Sequence, residues 1–148
     1  MPRAAHLILL LQLLPLSAAR AQVRNQPWPM IRRDEAVELR VDNSSIMTTD
    51  SVSTLTVEYT FLADSIRPVL GQLGPKDTRS VARAVHQVQI DCRTSRWRWL
   101  NDAYLAADGA VLASQVSEDG WRTVTSTEPL ALDFAATCGF LQGRAWKP

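Results

Sequence analysis

Alternating apolar and polar residues predict β-strands in the first half of this chain. Residues 36–41 alternate aliphatic side chains with charged ones, as a half-buried strand does. Residues 54–62 are rich in β-branched and aromatic side chains, which favours a second strand. Between these segments, the sequence Asp-Asn-Ser-Ser at 42–45 predicts a turn.

The second half predicts more strands. One covers residues 81–92 and ends in an alternating stretch. Residues 96–99 are Arg-Trp-Arg-Trp, so a strand there would hold both arginines on one face and both tryptophans on the other. A hairpin is predicted around residues 108–109, because their Asp-Gly sequence tolerates the positive φ of tight turns. A short strand is predicted at 121–124.

The end of the chain has a helical pattern instead. Leu130, Phe134 and Cys138 recur every four residues and would share one face of a helix. The segment 126–129 offers a Ser or Thr cap, then Glu and Pro in the first turn. Gly139 is a natural place for the helix to end. We therefore expect a mostly β, α+β fold, with an antiparallel sheet of about six strands and a C-terminal helix on one face.

Two stretches show no regular pattern. Residues 22–35 are polar and proline-containing, which predicts an irregular N-terminal arm that docks through Trp28. Residues 63–83 contain Gly71, Gly74 and Pro75, which break regular elements and predict a loop. The remainder, residues 36–148, is expected to be a single domain.

The first 21 residues have the pattern of a secretory signal peptide. A short polar start precedes an apolar run at 7–16, and Ala-Arg-Ala at 19–21 offers small residues for cleavage between Ala21 and Gln22. The run is shorter than the roughly 20 apolar residues that span a membrane, so we expect no span after cleavage. The protein is therefore expected in the periplasm, at the cell surface or secreted.

The whole chain has a formal net charge of +1, with both signs mixed along it. This balance gives no general attraction to nucleic acid or anionic lipid.

The chain has only two cysteines. Cys92 ends a predicted strand, and Cys138 lies on the predicted helix. In an oxidising compartment such a pair predicts a disulfide, which would tether the helix to the sheet. Two separate buried thiols are the alternative. A metal site is the weakest interpretation, because only His86 remains as a histidine after cleavage and the spacing is wrong.

No catalytic arrangement is evident in the sequence. His86 lies in a predicted strand and is interpreted as a structural or surface residue, and the carboxylate pairs at 34–35 and 118–119 as solvated charges. There is no phosphate-binding glycine loop, nucleophile elbow or zinc signature. We expect no enzyme activity and no cofactor.

Arg93, Arg96 and Arg98 are the one local concentration of charge. They form either a solvated strand face, with Trp97 and Trp99 in the core behind it, or a basic surface for an acidic or glycan partner.

Several short motifs resemble the bacterial surface-adhesin protein E family. The upstream matches are Val41-Asp42-x-Ser44-Ser45-Ile46 and the strand at 55–61. The downstream matches are Val88-Gln89-Ile90-Asp91-Cys92, Arg98, Tyr104, Asp108-Gly109-x-Val111, Trp121-x-x-Val124, the Ser/Thr-Glu-Pro helix start and Cys138. The resemblance implies an antiparallel sheet with a disulfide-tethered C-terminal helix, and adhesion to host extracellular matrix. The chain has no matching lysine-rich segment, and its 63–83 loop has no counterpart.

The expected function is therefore an exported, adhesin-like and non-catalytic binding protein of a bacterial envelope or surface. Its partner would be a protein or a glycan, including host extracellular matrix, and a homodimer is left open. One alternative is a periplasmic housekeeping module that binds a cell-wall or membrane-protein partner. The other is an exported enzyme inhibitor that presents the loop at 71–76.

Overall fold

The computed structural model describes residues 27–62, 80–117 and 120–143. These residues form seven strands and one helix. They are β1 (Met30–Arg33), β2 (Val37–Thr49), β3 (Val52–Phe61), β4 (Arg83–Asp91), β5 (Arg96–Leu105), β6 (Val111–Val116), β7 (Arg122–Thr123) and α1 (Leu130–Leu141). The predicted leader with its cleavage site, the loop at 71–76 and the carboxylates at 118–119 lie outside the described residues.

The strands form one antiparallel sheet in the order β1-β2-β3-β4-β5-β6, with β7 beside the first part of β5. Cys92 and Cys138 form a disulfide with a Cα–Cα distance of 5.6 Å, so α1 is tethered to the end of β4. The predicted mostly β fold, its C-terminal helix and its disulfide are confirmed.

The core lies between α1 and one face of the sheet, which we call the inner face. Alternate residues of the four central strands supply it, as the alternation in the sequence predicts. The fully buried residues include Leu39, Val41, Leu55, Val57, Val88, Ile90 and Ala136. The opposite, outer face of the sheet is polar, and α1 does not cover it.

The predicted irregular arm is wrong for residues 30–33. They form β1, which pairs with β2 through Arg33↔Glu38 and places Ile31 in the core. Four residues carry too little periodicity to predict a strand, and pairing with β2 is what orders this one. Trp28, just before it, is half-buried.

The predicted turn at 42–45 is wrong too, because β2 continues through it with a bulge. The register passes from Asp42↔Thr56 to Met47↔Thr54. Asp42 accepts a hydrogen bond from the Ser44 amide at 3.0 Å, so turn chemistry here shapes a bulge and does not reverse the chain. The reversal comes at Asp50, whose φ is 56°.

Helix α1 begins and ends differently from the prediction. It follows Pro129 without a side-chain cap and continues past Gly139 to Leu141. The left-handed position that ends it belongs to Gly143, with φ of 76°, and the Gly143 amide donates to the carbonyl of Phe140. Its buried face includes Thr137, next to the predicted apolar positions, and also Asp133, which the spacing of the apolar residues did not indicate.

Asp133 anchors α1 to strands β1 and β3. It accepts a hydrogen bond from Arg32 of β1 at 2.5 Å and one from the Tyr59 hydroxyl of β3 at 3.2 Å. Burial raises the pKa of Asp133, although the positive charge of Arg32 opposes that shift. Arg32 is also paired with Asp34, so its charge is shared between two carboxylates.

No helix among the described residues is long and apolar enough to cross a membrane.

Candidate functional site

Arg96 and Arg98 lie on the outer face of β5, where they meet an aromatic ring. The pairing Trp97↔Arg122 between β5 and β7 brings Trp121 beside Arg98. The Cζ atoms of Arg96 and Arg98 are each 5.0 Å from the centroid of the Trp121 ring, within cation–π range. We call these three residues the arginine–tryptophan patch. Trp97 points the other way and is 1% exposed, as the Arg-Trp alternation predicts.

Hydrogen bonds across the sheet hold the guanidinium of Arg98 in place. Its Nε and Nη2 donate to Oε1 of Gln89 on β4, at 2.8 and 2.5 Å. Gln89 in turn donates from Nε2 to the hydroxyl of Thr54 on β3, at 3.1 Å. This row of side chains fixes one charge of the patch before any partner arrives, which lowers the entropy that binding must overcome.

Arg93 is separated from the other two arginines. It lies in the turn between β4 and β5, where its amide donates to Asp91 at 3.0 Å. Its guanidinium is directed toward Ser51 on the β2–β3 turn, at 3.5 Å. Arg93 lines a pocket of about 510 Å³ together with Phe140 and Leu141 at the end of α1. Of the three arginines in the predicted row, Arg96 and Arg98 therefore lie together on the outer face, and Arg93 lies apart from them, near the end of α1.

The turn that carries Arg93 is built around the carboxylate of Asp91. The side-chain hydroxyl of Thr94 and the amides of Arg93 and Thr94 all donate to it, and they lower the pKa of Asp91. Ser95 completes the turn with a φ of 53°. Arg93 is thus presented by a turn that its neighbours keep rigid.

The three arginines of the predicted binding surface differ in ion pairing from four other arginines of the sheet. Four arginines have carboxylate partners: Arg32 pairs with Asp34 and Asp133, Arg33 and Arg40 pair with Glu38, and Arg83 pairs with Glu58. Within the described ranges, the guanidinium nitrogens of Arg93, Arg96 and Arg98 have no carboxylate oxygen within 4.0 Å. Their positive charge is therefore not neutralised by a neighbouring carboxylate.

A second polar cluster, which the sequence did not indicate, joins His86 and Asp102. These residues lie opposite each other on β4 and β5, and each is 7% exposed. Nδ1 of His86 is 2.5 Å from Oδ1 of Asp102, and Gln115 of β6 donates to Oδ2 at 3.2 Å. Because Leu100 is an extra residue between the pairs Val88↔Trp99 and Gln87↔Asn101, β5 changes parity and turns Asp102 inward.

The protonation state of Asp102 follows from its contacts. Burial would raise the pKa of Asp102, but its hydrogen bond and attraction to His86 lower that pKa overall. Asp102 is therefore a carboxylate, and Nδ1–H of His86 donates to it. Burial and the charge of Asp102 raise the pKa of Tyr104 to about 12.

The surroundings of His86 make the pair part of the core. Its imidazole lies against the rings of Tyr59, Trp99 and Tyr104, at centroid distances of 5.5, 4.6 and 5.9 Å. Both cysteines are committed to the disulfide. In the part of the chain that the structure describes, no group of three or more His, Cys, Asp or Glu side chains could hold a metal ion. We interpret His86–Asp102 as a structural pair.

No protein-family model matches this chain, and no curated protein gives a significant match. The resemblance to the adhesin family, and the absence of catalysis, stay predictions.

Proposed function

We propose that this protein is an exported, adhesin-like and non-catalytic binding module of a bacterial envelope or surface. Its contact surface for an anionic partner comprises the arginine–tryptophan patch, with Arg93 contributing from the adjoining turn. The observation that carries the proposal is that these arginines lack carboxylate partners within the described residues, whereas four others are ion-paired.

An arginine without a carboxylate partner binds an anion at a lower cost in free energy. An arginine that already pairs with a carboxylate must give up that partner before it binds another anion. An unpaired guanidinium presents its planar set of donors directly to a carboxylate or sulfate. Arg98 also loses little conformational freedom on binding, since Gln89 already holds it.

Export has two supports. The sequence at 1–21 has the pattern of a signal peptide with cleavage between Ala21 and Gln22. The Cys92–Cys138 disulfide is compatible with service in an oxidising compartment. Intact mass of the protein recovered from periplasm or medium tests cleavage, and material that keeps Met1 would contradict it.

The binding test compares two double variants with equal changes in charge. Arg96→Ser/Arg98→Ser removes the unpaired arginines. The control, Arg40→Ser/Arg83→Ser, removes two ion-paired arginines from the same outer face. Both are assayed, after their melting temperatures are compared, against purified matrix proteins and against envelope extracts at low and physiological salt. Arg93→Ser is assayed separately, because the Arg93 side chain extends from the adjoining turn toward Ser51 and does not lie on the outer face of β5.

We expect the patch variant to bind about tenfold more weakly than wild type, since exposed charge pairs are worth roughly 0.2–1 kcal/mol each. Its binding should also depend less on salt, whereas the control should behave as wild type does. Equal binding by wild type and patch variant at low salt would rule out this surface. Binding found only with envelope extracts, and not with matrix proteins, would favour the periplasmic housekeeping role over host adhesion.

A further inference from the structure

A groove of about 510 Å³ runs along the outer face of the sheet, across β3 to β6. Hydroxyl and amide side chains line it together with small apolar side chains. The lining residues that matter here are Thr56, Gln87, Asn101 and Ser114, with Val85 and Val116. Asp102, which also borders the groove, has both carboxylate oxygens engaged by His86 and Gln115. The groove therefore presents polar groups without an available charge.

Two side chains in this groove hydrogen-bond to each other, and each keeps a polar group that has no partner among the described residues. Asn101 donates from Nδ2 to Oε1 of Gln87 at 2.7 Å. Among the described residues, this contact leaves the Nε2 donor of Gln87 and the Oδ1 acceptor of Asn101 open. An open donor and an open acceptor on two hydrogen-bonded side chains match the hydroxyl groups of a ligand, each of which can donate and accept.

The groove is continuous with the arginine–tryptophan patch. Gln87 and Gln89 are successive outward residues of β4, about 7 Å apart by strand geometry. Gln89 binds Arg98, and Gln87 binds Asn101, so the two rows lie next to each other on one face. One end of this surface carries unpaired positive charge and an indole ring, and the other carries neutral amides and hydroxyls.

We infer that the groove and the patch together bind one polysaccharide strand in which carboxylate-bearing sugars alternate with neutral sugars. The inference rests on the proposed function of the patch and names its ligand. A guanidinium fork matches a planar carboxylate. Amides and hydroxyls match the hydroxyls of the neighbouring neutral sugar, while Trp121 and Val85 suit apolar faces of sugar rings. Because the charge lies at one end only, a strand with acid on every sugar fits less well.

The test uses the disulfide-bonded protein and four probes. Hyaluronan alternates a uronic acid with a neutral amino sugar, heparin is sulfated, dextran is neutral, and an oligoglutamate peptide carries carboxylates without sugars. The groove variant is Gln87→Ala/Asn101→Ala. Its control is Thr49→Ala/Thr60→Ala, which removes two polar side chains of the sheet that do not line the groove.

We expect wild type to bind hyaluronan and not dextran. The groove variant should lose about tenfold in affinity for hyaluronan, the change for two hydrogen bonds of ordinary strength, while its affinity for oligoglutamate stays the same. The control should match wild type on both probes.

Other outcomes overturn the inference in distinguishable ways. Arginine-dependent binding of oligoglutamate without hyaluronan binding would leave the proposed function standing and indicate a protein partner. Binding of heparin but not of hyaluronan would refute the carboxylate assignment. Hyaluronan binding that depends on Arg96 and Arg98 but is unchanged in the groove variant would reduce the site to charge attraction. Binding of no anionic probe would count against the anionic-partner proposal as well.

Discussion

Replacing both cysteines by alanine, Cys92→Ala/Cys138→Ala, should destabilise the whole domain and not merely loosen its last helix. The disulfide joins β4 to α1 across a sequence separation of 46 residues. Helix α1 has 12 residues, which is too short to persist in water without packing. Its remaining attachments are the Asp133 contacts with Arg32 and Tyr59 and the packing of its buried face on the sheet.

The magnitude follows from the closed loop. Chain-entropy arithmetic for a loop of this length gives about 4 kcal/mol at room temperature. Domains of this size are stable by roughly 5–15 kcal/mol in total, so the loss is a large fraction of that stability. With a urea m-value of about 2 kcal/mol/M, the unfolding midpoint should fall by about 2 M.

The assay is urea unfolding of both proteins, followed by far-UV circular dichroism and by tryptophan fluorescence. Reductant provides the control, since it should destabilise wild type by a similar amount and leave the double variant unchanged. Coincident transitions from the two probes would show that helix and sheet still unfold together. Hydrogen exchange of the α1 amides, measured in native buffer, then reports any separate opening of the helix.

A loss of less than about 1 kcal/mol would refute the reasoning, because it would mean that the closed loop contributes little. An early loss of helical signal, well before the tryptophan transition, would contradict the expectation of a single cooperative unit.

Two further predictions concern single residues. The folded pKa of Asp102 lies below the unfolded value, so its ionised form contributes stability that is present above that unfolded value and is lost as pH falls through the folded pKa. Asp102→Asn should therefore lower the free energy of unfolding by about 1–3 kcal/mol at pH 7 and by progressively less in acid. Asp50→Asn, at an exposed turn, should change neither the free energy of unfolding nor its dependence on pH. Equal pH profiles of unfolding for the two variants would refute this. Gly109 has a φ of 89°, so Gly109→Ala should cost about 1 kcal/mol of stability, measured by thermal unfolding. Gly120→Ala should be close to neutral, because an added Cβ there has no atom within 4 Å. Similar costs at both sites would contradict the argument from backbone conformation.

Much of the fold follows from local patterns. Strands β3 and β4 and the start of β2 were predictable, because alternation of apolar and polar side chains reflects burial on one face. The Asp108-Gly109 hairpin was predictable from turn chemistry. Only two cysteines are present, so once the compartment is oxidising their pairing has one solution.

Other features depend on neighbours that are distant in sequence. β1 exists through its pairing with β2, and α1 continues past Gly139 to Leu141, before the left-handed Gly143. The inward turn of Asp102 depends on one extra residue in β5, and a one-residue shift reverses the face of every side chain that follows. A period-two pattern cannot reveal such a shift.

The candidate site also combines features that follow from local sequence with features that depend on the folded sheet. The opposite placement of arginines and tryptophans on β5 was predictable from the sequence, because successive side chains of a strand alternate between its faces. Three other features depend on the folded sheet: which arginines lack a carboxylate partner among the described residues, the contact of Trp121 with Arg96 and Arg98, and the separate position of Arg93. The physical reason is that ion pairing is set by which carboxylates the strand register brings within reach, and the register is a property of the assembled sheet.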